Sequence, residues 1–116
     1  MSFAVSPTID VADQVVGGSL GDVIQLECKV EAWPAADNYW EKDGLRLEVG
    51  DRLSMDQVEG SMPYQATMLM NVTLVSQEDI GTYHCVSVNE KGTIRGNIEV
   101  YSEYLSLSRL IGPVAG

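Results

Sequence analysis

Chemistry in this chain would have to start at His84 and Cys85, the one histidine and one of the two cysteines. A thiol beside an imidazole suggests a nucleophile activated by a base. The residues around them alternate as a strand does, and neighbours on a strand point to opposite faces. The two side chains therefore cannot meet, and the pair fails the geometric test for a nucleophile and its base. The acidic stretches Asp10 to Asp13 and Glu78-Asp79 lack the spacing of a calcium loop and read as solvated turns. No glycine-rich loop stands between a strand and a helix to cradle a phosphate. The expectation is a chain with no catalytic residue, no cofactor and no small-molecule substrate. One motif does carry chemistry of another kind. Asn71-Val72-Thr73 has the form of an N-glycosylation acceptor, with a non-proline residue in the middle.

The elements that hold these residues follow from length and pattern. The chain has 116 residues, 45% of them hydrophobic, which suits one folded domain with a two-layer core. Its formal net charge of −10 argues against nucleic acid and anionic membrane as partners. It reads first as a solvated acidic surface. No apolar run approaches the roughly 18 residues that a membrane span needs. The opening Met1 to Val5 lacks the basic and apolar regions of a signal peptide, so the parent's targeting signal is expected elsewhere.

Short strands separated by turns account for most of the chain. Pro7 to Val11 reads as an edge strand, with Pro7 at its start where a missing N–H does no harm. Val15 to Gly18 reads as a short strand on the opposite sheet. Val23 to Glu31 alternates cleanly: Ile24, Leu26, Cys28 and Val30 share one face, and Gln25, Glu27, Lys29 and Glu31 the other. Ala32 to Asp37 is a turn punctuated by Pro34, with Trp33 at its tip. Asn38 to Lys42 follows with Trp40 inward. Asp43-Gly44 is a hairpin signal leading into Leu45 to Glu48. Arg52 to Met55, Gln65 to Leu74, Thr82 to Asn89 and Thr93 to Tyr101 complete the strands. Met68, Met70 and Val72 face the core, which turns Asn71 toward solvent. Ile94, Gly96, Ile98 and Val100 also face inward. The apolar tail with Tyr104, Leu105, Leu107, Leu110 and Ile111 suits a helix face or a strand equally.

Several of these residues stand in a recurring order. Leu26-x-Cys28, Glu31-Ala32-x-Pro34, Trp40-x-Lys42-Asp43-Gly44, Asp79-x-Gly81-x-Tyr83-x-Cys85 and Val88-Asn89-x-x-Gly92 together resemble an I-set immunoglobulin domain. The resemblance implies an all-β, two-sheet antiparallel Greek-key sandwich over residues 7–101. A linker at 1–6 and a tail or juxtamembrane stalk at 102–116 would flank it. The Phe3 to Ile9 lead-in and the Glu31 to Pro34 turn are similar to membrane-proximal domains of neural adhesion receptors of the lachesin, Amalgam, Dpr-interacting and IgLON kinds. The family pattern joins Cys28 to Cys85 across the sheets and packs Trp40 beside the bridge. It makes Tyr83 a tyrosine corner and pairs Arg52 with Asp79 to fix that corner. A disulfide implies an oxidising compartment; the alternative is two buried thiols, as in intracellular immunoglobulin domains. With one histidine and the cysteines joined, no metal site is expected.

What remains is a surface. With Cys85 and Trp40 inward, Tyr39, Glu41, His84, Val86 and Val88 are expected to form one partly apolar exposed patch, a candidate protein interface. The expected function is that of a non-catalytic, extracellular, glycosylated adhesion domain. It would bind a cell-surface receptor, homophilic or heterophilic, and belong to a membrane-attached parent. The alternative is a structural spacer, in a receptor stalk or an intracellular muscle-type tandem chain.

Overall fold

The computed structural model describes residues 4–103. Nine strands run in chain order: β1 Val5–Val11, β2 Val15–Gly18, β3 Val23–Trp33, β4 Asp37–Lys42, β5 Leu45–Arg46, β6 Leu53–Glu59, β7 Gln65–Thr73, β8 Gly81–Asn89 and β9 Gly92–Ser102. One 3-10 turn, Gln77–Asp79, joins β7 to β8. The strands form two sheets in the orders β1-β3-β7-β6 and β2-β9-β8-β4-β5. Neighbours are antiparallel except β2 and β9, which run parallel. The architecture is the expected all-β sandwich.

Period-two patterning builds the layers. Ile24, Leu26, Cys28 and Val30 of β3 face Met68, Met70 and Val72 of β7 within the core, and Trp40, Tyr83, Cys85, Ile98 and Val100 close it from the other sheet. Each buried large side chain of this kind contributes about 1.5–3 kcal/mol relative to an exposed one. Asp43 and Gly44 both take positive φ, 54° and 78°, which gives β4 and β5 the tight hairpin that Asp-Gly favours.

One glycine decides how closely the layers approach. A Cβ on Gly96 would lie 2.7 Å from Val11, 2.8 Å from Ile9 and 2.8 Å from the Cys85 sulfur. The bare backbone of β9 therefore lets β1 close over the bridge region.

Element ends differ from the sequence expectation most at β1, β3, β5 and β6. β1 begins at Val5, inside the stretch read as a linker, because Val5 pairs with Trp33. A register shift between Val5 and Thr8 accommodates Pro7. Accordingly, Trp33 is the last residue of β3 and not the tip of a turn. β6 runs on to Glu59, since Asp56 to Glu59 continue pairing with Leu69 to Ala66 of β7. β5 is shorter than expected: Leu45 and Arg46 form its ladder with β4, and the Leu47 N–H adds one bond to the Trp40 carbonyl at 2.8 Å. The lead-in residue Phe3 and the tail from Tyr104 lie outside the described residues.

Candidate interaction surface and its framework

The framework starts from two cysteines at the sheet centres. Cys28 and Cys85 are joined across the layers, and both are fully buried. Trp40 is the register partner of Cys85 on β4 and is 2% exposed, so the indole lies in the same core layer as the bridge.

At the base of the sandwich, Ser76 caps the 3-10 turn. Its hydroxyl accepts from the Glu78 N–H at 3.3 Å. Asp79 returns the bond, its Oδ2 accepting from the backbone N–H of Ser76 at 3.0 Å and of Val75 at 2.9 Å. Arg52 donates from Nη1 to both carboxylate oxygens, at 3.2 and 3.0 Å. The Tyr83 hydroxyl donates to the Asp79 carbonyl at 2.7 Å, which closes a tyrosine corner. Burial alone would raise the Asp79 carboxyl, but the two backbone donors and the Arg52 guanidinium outweigh it and hold the pKa below the ordinary value. Burial, with the negative charges of Asp79 and Asp43, pushes Tyr83 up to about 12. The Lys42 ammonium stands 5.6 Å from the Tyr83 ring centre.

The outward face of β9, β8 and β4 holds the five residues expected to form a patch. Register sets them in rows: Arg95, Val86 and Tyr39 in one, Asn97, His84 and Glu41 in the next. All five sequence-derived residues are on β4 or β8, but they do not form an exposed apolar patch. Val86 is fully buried, and Tyr39, Glu41, His84 and Val88 are half-buried. The reason is an ion pair. Arg95 lies opposite Val86, and Glu41 lies opposite His84 on the other side of β8. Their salt bridge must cross β8, and it caps Val86. His84 Nδ1 lies 2.7 Å from Asn97 Oδ1. Arg46 stacks over Tyr39, 4.5 Å from the ring centre, and pairs with Asp37 at 3.5 Å. The face is thus a polar lattice of Arg46, Tyr39, Arg95, Glu41, His84 and Asn97.

Sequence reasoning missed Arg95, Asn97 and Arg46. The first two were within reach, since placing Ile94, Gly96 and Ile98 inward turns Arg95 and Asn97 outward on the same face as His84. Beside Tyr39, the free edges of the two sheets leave an open depression of about 330 Å³, walled also by Leu47, Met55 and Gln57. Asn71 lies on the outer face of the other sheet, half-buried. Its Oδ1 accepts from Gln25 Nε2 at 3.3 Å, and its Nδ2 donates to Ser54 Oγ at 3.3 Å. Among the described residues, no three His, Cys, Asp or Glu side chains gather as a metal site would require.

Two sheets held by a buried cystine, a core tryptophan and a tyrosine corner define an immunoglobulin-like sandwich. The family model for the immunoglobulin I-set domain matches residues 7–101, and the chain belongs to that family. Among similar proteins, the muscle M-line assembly protein unc-89 of Caenorhabditis elegans is 38% identical over 96 residues, covering 83% of this chain and 1% of the relative. The limbic system-associated membrane protein of Mus musculus is 30% identical over 84 residues, covering 72% of this chain and 23% of the relative. In the crystal structure of Dpr2 Ig1-Ig2 in complex with DIP-Theta Ig1-Ig3, one chain is 34% identical with a TM-score of 0.80. The match covers 85% of this chain and 33% of that one. The chain therefore spans a third or less of the length of these relatives. Its similarities reach both adhesion receptors and muscle proteins. The fold is one that is generally non-enzymatic.

Proposed function

We propose that this chain is a non-catalytic, extracellular recognition domain of a membrane-attached adhesion receptor, and that it contacts a partner protein through the outward face of β9, β8 and β4. The observation that carries this reading is the buried Cys28–Cys85 disulfide, because such bonds form and persist in oxidising compartments. The similarity to a membrane protein and to a chain of the Dpr2–DIP-Theta complex supports it. The contact face is polar and prearranged. Tyr39 and Arg46, stacked on one another, are residue types enriched where proteins meet. With this much charge to desolvate, a single domain binds weakly, and display in many copies on a membrane supplies the avidity. The recognition domain comprises residues 5–102, and the residues after it serve as a C-terminal tail or juxtamembrane stalk.

Labelling of thiols in the protein taken from its tissue, denatured before any reductant is added and mapped to Cys28 and Cys85, tests this. A chain that takes no label without reductant is expected; two labelled thiols overturn the extracellular reading. The second reading is a spacer in a muscle-type tandem chain. The similarity to unc-89 favours it, and so does the capping of Val86, which removes the apolar patch. Free thiols in the native chain would establish that reading in place of the first.

A further inference from the structure

We propose that Asn71 carries an N-linked glycan that covers the outer face of the β1-β3-β7-β6 sheet and leaves the β9-β8-β4 face for protein contact. The proposal rests on the extracellular reading above. Asn71-Val72-Thr73 is the only Asn-x-Ser/Thr triplet in the sequence; those beginning at Asn38, Asn89 and Asn97 end in Trp40, Lys91 and Glu99. Met70, Val72 and Leu74 are fully buried, so Asn71 and Thr73 both emerge on the outward side of β7.

The geometry leaves room for the bond. A side-chain amide nitrogen carries two hydrogens. At Asn71 one of them is given to Ser54 Oγ at 3.3 Å, which leaves the other for substitution. The carbonyl oxygen is held from the opposite strand by Gln25 Nε2 at 3.3 Å. The amide plane is thereby fixed on both sides, and both bonds are compatible with a substituted nitrogen. In the transfer, Nδ2 forms a bond to C1 of an oligosaccharide delivered as a lipid pyrophosphate. The bond from C1 to the pyrophosphate oxygen breaks, the lipid pyrophosphate leaves, and the amide nitrogen gives up one proton to a base of the transferring enzyme. Asn71 is the third residue from the C-terminal end of β7, between β3 and β6, so the first sugar stands over the centre strands near the end of the sheet where β3 and β6 begin. Gln25 and Ser54 flank it directly, and Leu69, itself flanked by Glu27 and Asp56, lies two residues away on the same face, so the sugar meets a mixed floor of polar groups and one leucine.

The test is secretion of the full 116-residue chain from eukaryotic cells. Intact mass is measured before and after enzymatic removal of N-glycans, and the resulting Asn-to-Asp conversion is mapped. The expected result is a glycan-sized mass on the wild type, mapped to Asn71, and none on Thr73→Ala, which keeps Asn71 and its hydrogen bonds. Asn71→Gln should agree. A secreted, disulfide-bonded wild type whose Asn71 is unmodified overturns the site while leaving the receptor reading standing. Free thiols in the native tissue protein overturn the receptor reading, whatever the recombinant chain carries.

Discussion

Arg52 reaches across the base of the sandwich to hold both carboxylate oxygens of Asp79, at 3.2 and 3.0 Å. The two partners are unequal. The Arg52 side chain is 41% exposed and that of Asp79 only 12%. Asp79 also accepts the backbone N–H groups of Val75 and Ser76, so its carboxylate organises the turn while Arg52 covers it. Asp79→Ala orphans two backbone donors and is expected to cost about 2–3 kcal/mol. Arg52→Ala breaks a pair half open to water and is expected to cost about 0–1 kcal/mol. Urea denaturation of both variants checks the ranking. Equal losses would mean that the carboxylate acts only through Arg52.

The same carboxylate makes stability depend on acid. Its folded pKa lies below the ordinary value, so its contribution is fully present above about 3.9 and is lost as pH falls through the lower folded value. Asp79→Asn should be less stable than wild type at neutral pH, and the gap should close on acidification below about pH 4. Denaturation midpoints measured down that range check it. A gap that stays constant would show that the charge form of Asp79 is immaterial.

Tyr83 sets the alkaline limb with the opposite sign. Its folded pKa is raised to about 12, so its contribution is complete below about 10 and falls as pH rises from there toward the folded value. Tyr83→Phe should remove that limb. It also deletes the 2.7 Å bond to the Asp79 carbonyl, at a cost of about 1 kcal/mol at neutral pH. Stability of the two proteins between about pH 9 and 12 separates the effects, because only the titration varies with pH.

How far these features could be read from the chain differs residue by residue. The alternation of Ile24, Leu26, Cys28 and Val30 marks β3 because one face is wholly core and the other wholly wet. β6 is harder. Beyond Met55 its Asp56, Gln57 and Glu59 show no apolar face, and only pairing with β7 keeps them extended. Val86 shows the limit of periodicity. Alternation states which way a side chain points, not what lies over it, and the cover comes from Arg95 and Glu41, 54 positions apart in sequence. The Arg52–Asp79 geometry was suggested by family resemblance; no local pattern relates two residues that far apart. The disulfide partner, likewise, came from the resemblance and not from spacing.

Gly96 tests the approach of the layers. A methyl group there meets Val11, Ile9 and the Cys85 sulfur within 2.8 Å, and none of these can withdraw without moving β1 or the bridge. Gly96→Ala is expected to destabilise by about 1–3 kcal/mol. Thermal unfolding measures it. A neutral result would mean that β1 can lift from the bridge at no cost, and β1 would then be a loosely held edge.

The last prediction concerns the contact face and separates its core from its surface. Val86 lies on that face but is fully buried beneath the Arg95–Glu41 pair. Val86→Glu therefore places a charge where water does not reach, and it should lower stability by more than about 2 kcal/mol rather than act on binding alone. Recognition is better tested at Tyr39 and Arg46, which are stacked on one another above the strand and contribute little to the core. Arg46→Glu reverses a charge on a side chain 59% exposed, so folding should be nearly unchanged. Binding of the parent receptor's ectodomain to cells bearing its partner should fall about tenfold or more, through loss of the Arg46 contact and reversal of the charge it presents to the partner. Tyr39→Ala should act in the same direction. If both variants fold and adhesion is unchanged, this face makes no contact, and the domain acts as a spacer between neighbours in its parent chain.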